Sequence, residues 1–361
     1  MIADRILCRA DAGRDIGFGH ILRCVNLLEQ MKADVQPVLA MRRGDGFDAV
    51  AESRRKAGWA VVALPEYADM SADVDMILEA CDEHDVRIVL TDLCHRNMLA
   101  DGDWLPAYHR RLRQSGHHLV MSIEDCRCRE LASDIAVVPY ECGRPDWVAD
   151  LNCTVLAGFS YTVLSAPVAE AAASRHREVR DVADRVLVCI GGGDPLQLSL
   201  RVTRALAALE TRQPRLRVLI GPGVSETSRA ELKAICKTMH DASIHDFGTS
   251  YIDLLYWADV LVCGEGLMRF DAAATGMPTL VISQFDHDSS LIRHYFSLGV
   301  ADLMGAAQNL TQDRIGVDIL SLLNDRDRRT QQSHRGKALI DGLGPNRIQD
   351  VLSAHVLAGA V

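Results

Sequence analysis

The sequence predicts an α/β protein made of two similar-sized domains, each with a parallel sheet. Short apolar runs alternate with amphipathic segments of helix length from end to end, the pattern of successive strand–helix–strand units. Glycine-rich turns at 13–19, 191–193 and 221–223 follow apolar runs and lead straight into helical segments. The length, 361 residues, suits two domains of about 100–200 residues each.

In the first half, apolar runs place strands at Arg5–Arg9, Gln36–Met41, Ala60–Leu64, Ile88–Thr91, His118–Ile123 and Ile135–Val138, with helices between them such as His20–Met31 and Asp73–His84. In the second half the strands are Arg185–Ile190, Arg217–Ile220, Ala242–His245, Val260–Cys263 and Thr279–Ile282. Helical spacing covers Leu196–Leu209, Ser225–Met239, Ser250–Trp257, Leu267–Thr275 and Ser289–Leu298. The stretch Ala166–Asp181 has no strand character and reads as a linker. The expected organisation is therefore a first domain over 1–165, a linker over 166–183, a second domain over 184–345 and a terminal helix over 346–361. In that helix Ile348, Val351, Leu352 and Val356 recur at helical spacing.

Composition narrows the function classes. Lys+Arg 39 against Asp+Glu 49 leaves a net charge of −10, with no basic cluster, so the chain is a poor candidate for binding nucleic acid or an anionic membrane by charge, while a local basic pocket for one phosphate stays open. No stretch approaches the roughly 18 apolar residues of a membrane span, and charges interrupt the start of the chain, so the expectation is a cytoplasmic protein. The 11 cysteines are odd in number and scattered; Cys126-x-Cys128 is the one close pair and no CxxC spacing occurs. They read as reduced core residues, with no metal motif. No oligomeric state is legible.

The chemistry is expected in the turns. The first strand runs into Asp11-Ala-Gly13-Arg-Asp-Ile-Gly17-Phe-Gly19-His20, where a helix begins. Glycines there let backbone approach a ligand, and a helix start offers N–H groups to an anion. The helix dipole disfavours imidazolium, which predicts a neutral, base-competent His20; the alternative is a histidine satisfying a turn carbonyl. The second domain opens with Gly191-Gly192-Gly193-Asp194-Pro195. Neither G-x-G-x-x-G nor a P-loop is completed, so neither NAD nor ATP is indicated and no cofactor is expected; a diphosphate against this helix start remains open. The run His245–Ile282 holds Asp246-Phe247, Ser250 with Asp253 as a capping box, Gly264-Glu265-Gly266-Leu267, Asp271 and the Gly276-Met-Pro278 stop. Asp271 reads as mid-helix between Phe270 and Ala272, costly if buried unpaired, and suited to accept hydrogen bonds from vicinal hydroxyls or to form a salt bridge.

Taken in order, these segments resemble the glycosyltransferase-B superfamily, and within it the UDP-sugar hydrolase of pseudaminic acid biosynthesis and its spore-coat polysaccharide relatives. The resemblance rests on Arg9-x-Asp11, Ile16-Gly17-Phe18-Gly19-His20-Ile21-x-Arg23-Cys24, Ile123-Glu124-Asp125, Gly158-Phe-Ser-Tyr161-x-Val-Leu164, Gly191-Gly-Gly-Asp194-Pro195 and Ala258-Asp259 through Pro278. It covers about residues 5–300.

The resemblance implies two Rossmann-like domains facing across a cleft, with UDP held mainly by the second. It implies hydrolysis of a UDP-activated amino or deoxy sugar, with His20 as the base that activates water. An inverting glycosyltransferase and a non-catalytic sugar-nucleotide-binding protein are the alternatives. Catalytic candidates are His20, Asp11, Asp92 and Cys94, the last standing where the hydrolase carries a tyrosine. Substrate contacts fall on Gly17, Gly19 and Arg23, on Gly192, Gly193 and Asp194, and on Asp246 and Phe247 beside uracil. They continue at Gly266, Leu267, Asp271 at the ribose, and Asp288 where transferases carry Gln for the donor sugar. Positive helix ends and Arg9, Arg14 or Arg23 would neutralise the diphosphate in place of a metal.

Overall fold

A computed structural model describes residues 5–13, 16–31, 35–93, 104–116, 118–123, 130–139, 148–150, 152–210, 213–248, 251–284 and 290–358. The chain divides into two compact units, Met1–Ala166 with Leu343–Val361, and Pro167–Gly342.

The first unit contains β1 (Arg5–Ala10), α1 (Gly19–Gln30), β2 (Gln36–Arg42), α2 (Phe47–Lys56), β3 (Ala60–Leu64), α3 (Met70–Glu83), β4 (Val86–Asp92) and α4 (Trp104–Gly116). It continues through β5 (Leu119–Ile123), β6 (Glu130–Leu131), β7 (Ile135–Val138), β8 (Val148–Ala149) and β9 (Thr154–Ala157). Among the described residues its main sheet has the order β3-β2-β1-β4-β5-β7-β9, parallel throughout. Alternate strand residues feed opposite faces: Ile6, Cys8, Leu39, Ile88 and Leu90 pack on one side, Leu7, Val38, Val89 and Val120 on the other. Helix α1 buries Ile21, Cys24, Val25 and Leu28, the i, i+3, i+4, i+7 stripe that its sequence carries.

The second unit takes up α5 (Ala166–Ser174), then β10 (Arg185–Cys189), α6 (Leu198–Ala207), β11 (Arg215–Ile220), α7 (Glu226–Cys236), β12 (Ala242–Asp246) and α8 (Tyr251–Trp257). After these come β13 (Val260–Gly264), α9 (Met268–Ala274), β14 (Thr279–Ser283), α10 (Ser290–Ser297), β15 (Asp302–Ala306), α11 (Gln312–Asn324) and α12 (Arg326–Leu339). Its parallel sheet runs β12-β11-β10-β13-β14-β15. In both sheets the chain winds outward from a first strand and then reverses to the strand on its other side. Each therefore has a switch point, β1/β4 in one and β10/β13 in the other, where the carboxyl ends open a crevice.

Two segments add to the sequence reading. The stretch expected as a linker begins with the helix α5, because Ala-Glu-Ala-Ala-Ala has the highest helix propensity available, a signal that a search for strands passes over. The final helix α13 (Gly344–Leu357) returns to the first unit: it buries Ile348 and Leu352 there, and His355 Nε2 meets Thr154 Oγ1 of β9 at 3.1 Å. The seven described cysteines are free thiols, and all but Cys153 are buried. Among the described residues no helix is long and apolar enough to cross a membrane.

Candidate active site

In the first unit, the switch point brings together residues that the sequence keeps far apart. His20 is the second residue of α1, whose start has no side-chain cap among the described residues. Asp92 is the last residue of β4. His20 Nδ1 lies 2.6 Å from Asp92 Oδ1, although 72 residues separate them. Arg23, one helical turn after His20, grips the same carboxylate in a fork: Nη2 donates to Oδ1 at 2.8 Å and Nε donates to Oδ2. Arg23 Nη2 also approaches His20 Nδ1 at 3.4 Å, but a guanidinium cannot donate to a nitrogen that is itself donating. The carboxylate contact at 2.6 Å wins, which assigns the proton to Nδ1 and the lone pair to Nε2. An orienting carboxylate, an imidazole in a fixed tautomer and a supporting guanidinium form the arrangement of a general base.

The turn before α1 is closed on itself. Gly17 N donates to Gly13 O at 2.7 Å and Gly13 N to Gly17 O at 3.2 Å, so the Gly17 amide that was expected to face a ligand is used within the turn. Gly17 has φ +80° and, among the described residues, nothing lies within 4 Å of where a Cβ would stand. Gly17→Ala should therefore cost only backbone strain, about 1–2 kcal/mol, read as a lower urea midpoint. Gly17→Asn should recover part of it.

Asp11 and Arg9 belong elsewhere. Asp11 is buried and accepts from Arg9 Nη1 at 2.7 Å and from the backbone N of Arg42 at 2.9 Å. Arg9 is fully buried; its Nε and Nη2 bind the two oxygens of Asp73 at 3.1 and 2.9 Å. Arg42 Nη2 and the Tyr108 hydroxyl complete the shell of Asp73 at 2.9 and 2.7 Å. Burial pushes the Asp73 carboxyl up, but Arg9, Tyr108 and Arg42 outweigh it and hold it below the usual range. Two arginines and two aspartates make this network electrically balanced. Arg9, expected as a diphosphate ligand, is thereby committed to the core. The network was missed in the sequence because Asp73 read simply as a helix start. Cys94, Arg14, Ser250 and Asp288 lie outside the described residues.

In the second unit, Asp194 points back into its own helix. It sits at φ +48°, is buried, and accepts from the amides of Leu198 and Ser199 at 2.7 and 2.9 Å. Burial pushes its carboxyl up despite these bonds. Two first-turn donors of α6, expected to meet a diphosphate, are already capped by a carboxylate. Gly192 and Gly193 pack against the next turn instead: Gly223 N donates to Gly192 O at 2.8 Å, and a Cβ on Gly221 would stand 2.5 Å from Gly191 O. These glycines answer to close backbone packing. Phe247 N is likewise spent on Ile220 O at 3.1 Å, so that amide cannot read uracil, and Asp246 pairs with Arg229 at 2.6 Å.

The opposite side of that switch point is different. Gly266 is exposed, with nothing among the described residues within 4 Å of where a Cβ would stand, and Leu267 precedes the first turn of α9. Asp271 is the fourth of the seven residues of α9, mid-helix as expected and still within reach of its first turn. Burial pushes its carboxyl up to about 7, against the pull of a hydrogen bond from the Tyr251 hydroxyl. Tyr251 in turn stacks on Phe247, which is 46% exposed, with ring centroids 4.9 Å apart and 21° between planes. Behind them Arg177 ties α8 to α9. It donates to the carbonyls of Leu255, Ala258 and Thr275 at 2.8, 3.1 and 2.9 Å, and burial lowers its pKa to about 10. Among the described residues no group of three His, Cys, Asp or Glu side chains is arranged to hold a metal.

The comparisons with known proteins bear on this geometry. No family model matches the chain. The chain is 21% identical over 345 residues to the spore coat polysaccharide biosynthesis protein SpsG of Bacillus subtilis (strain 168), covering 95% of this chain and 96% of that protein. Solved structures align over nearly the whole length. The S. aureus MnaA–UDP co-structure matches with a TM-score of 0.65 at 10% identity, covering 99% and 98% of the two chains. CalG4, the calicheamicin glycosyltransferase, matches with a TM-score of 0.64 at 13% identity, covering 99% of each. The fold is that of the glycosyltransferase-B proteins. Two Rossmann-like α/β units of this kind are what the strand–turn–helix pattern led one to expect.

Proposed function

We propose that this protein binds a UDP-sugar and breaks its anomeric C–O bond with water as the attacking group, releasing UDP and the free sugar. The observation that carries this reading is the Asp92–His20–Arg23 cluster at the β1/β4 switch point. His20 Nε2 takes a proton from water as its oxygen bonds to the anomeric carbon; the bond pair leaves with UDP, and configuration inverts. UDP is a good leaving group, so the demand on the protein is to orient the nucleophile and offset the departing charge. The second unit supplies nucleotide contacts through Asp271 and the start of α9.

Transfer to a sugar hydroxyl is the second reading, favoured by the likeness to the B. subtilis spore coat polysaccharide biosynthesis protein and to the glycosyltransferase CalG4. There His20 would deprotonate the acceptor. Incubation with UDP-diacetamido sugars, followed by 31P NMR for UDP and 1H NMR for the anomeric product, separates the two. UDP release at full rate without an acceptor is expected. Release only on adding an acceptor would establish transfer, and tight UDP binding without turnover under either condition would sink both in favour of a binding protein.

A further inference from the structure

Arg269, the second residue of α9, is a buried cation that no described residue neutralises. It is 7% exposed, and its Nε has no hydrogen-bond partner among the described residues. The guanidinium lies against the rings of Phe270 and Tyr295, 4.6 and 5.4 Å from their centroids. The Tyr295 hydroxyl donates to the Arg269 carbonyl at 3.0 Å, which fixes the backbone and leaves the charge untouched. Ring contacts return only part of what a guanidinium loses on leaving water. Arg9 and Arg177, buried as deeply, are answered by two aspartates and by three carbonyls. Asp271 does not answer Arg269: residues at i and i+2 point to different sides of a helix, and Asp271 is held by Tyr251.

The location gives this imbalance a meaning. Helix α9 follows the carboxyl end of β13, beside the switch point where open parallel sheets take their ligands. On the other side of that point the start of α6 is closed by the Asp194 carboxylate, which would also repel a second anion. We propose that Arg269 binds an anionic oxygen group of the ligand, in the first place the diphosphate of the sugar nucleotide. A planar guanidinium takes two phosphoryl or carboxylate oxygens side by side. This rests on the UDP-sugar reading above. A carboxylate on the sugar offers the same oxygen pair, and the two sources are separable.

The test is calorimetry on the full-length protein, its Arg269→Met and its Arg269→Lys, with uridine, UDP, UDP-N-acetylglucosamine, UDP-glucuronic acid and inorganic pyrophosphate. The methionine variant should weaken UDP and pyrophosphate by about tenfold or more and uridine by less than about twofold, the scale of one charged hydrogen bond. Its Tm should not fall, since an unpaired buried charge has been removed, and lysine should restore part of the affinity. A loss confined to UDP-glucuronic acid would place the anion on the sugar. Equal losses for uridine and UDP, unchanged affinity for every anion, or a lowered Tm with unchanged UDP binding would overturn the assignment. If the native protein binds neither uridine nor UDP, the nucleotide reading fails separately. Pyrophosphate binding that depends on Arg269 would then keep the anion site, and its absence would remove that as well.

Discussion

His20→Ala is expected to lower turnover by about 10²–10⁴-fold, the contribution of a positioned general base, while UDP affinity changes by less than about twofold. The separation follows from geometry. His20 and Asp92 belong to the first unit, whereas the proposed nucleotide contacts at α9 belong to the second. Asp92→Asn should reproduce most of the loss, because an amide in place of Oδ1 no longer fixes which imidazole nitrogen carries the proton. That variant also leaves Arg23 buried against a neutral partner, so its unfolding transition must be measured beside its kinetics. Single-turnover UDP release is the deciding measurement. Near-native rates in His20→Ala would remove this histidine from the mechanism, and an asparagine variant that turns over normally would reduce Asp92 to a counter-ion for Arg23.

Asp271→Ala is expected to weaken UDP by about 1.5–3 kcal/mol, the worth of a charged hydrogen bond, or roughly 10–150-fold. The same carboxyl predicts a pH dependence with a definite sign. Burial raises it from 3.8 to about 7, so at neutral pH it is half protonated in the unliganded protein. Ribose hydroxyls donate to the ionised form. Uridine, which brings no titrating phosphate, should therefore bind more tightly as pH rises through 7, by up to about tenfold per unit below that point. Asp271→Asn should flatten the dependence. Stability runs the other way, because the folded value lies above the unfolded one. Asp271's contribution is complete below about pH 4 and is lost as pH rises through 7. A uridine titration independent of pH in the native protein would show that the carboxyl does not meet the ribose.

Arg269 and Tyr251 enlarge the site beyond the residues that motifs single out. Tyr251 holds Asp271 in the unliganded protein, and Arg269 waits for an anion on the same short helix. Neither gave a signal in the sequence. A tyrosine at the start of a helix and an arginine between apolar residues are ordinary surface choices until the packing shows what surrounds them.

The architecture is legible in the order of amino acids alone. Strand, glycine turn and helix are decided by residues within a few positions of one another, so alternation of apolar runs with amphipathic segments was enough to place His20 at a helix start and to pair two parallel-sheet units. What it could not determine was which polar atom answers which. The Asp92 carboxylate belongs to His20 because β1 and β4 are neighbours in the sheet, across 72 residues of chain. Asp194 turned out to cap α6, Phe247 to spend its amide on Ile220, and Arg9 to vanish into a balanced core network. Helix α12 makes the same point: it buries Arg329, Gln332, Ser333 and Gly336 where an apolar stripe would be expected, and Gln332 accepts from Thr279 N at 2.8 Å. Local propensity is a nearest-neighbour property, whereas a buried hydrogen bond must be satisfied by whatever the fold brings within about 3 Å. Long-range packing settles which atoms those are.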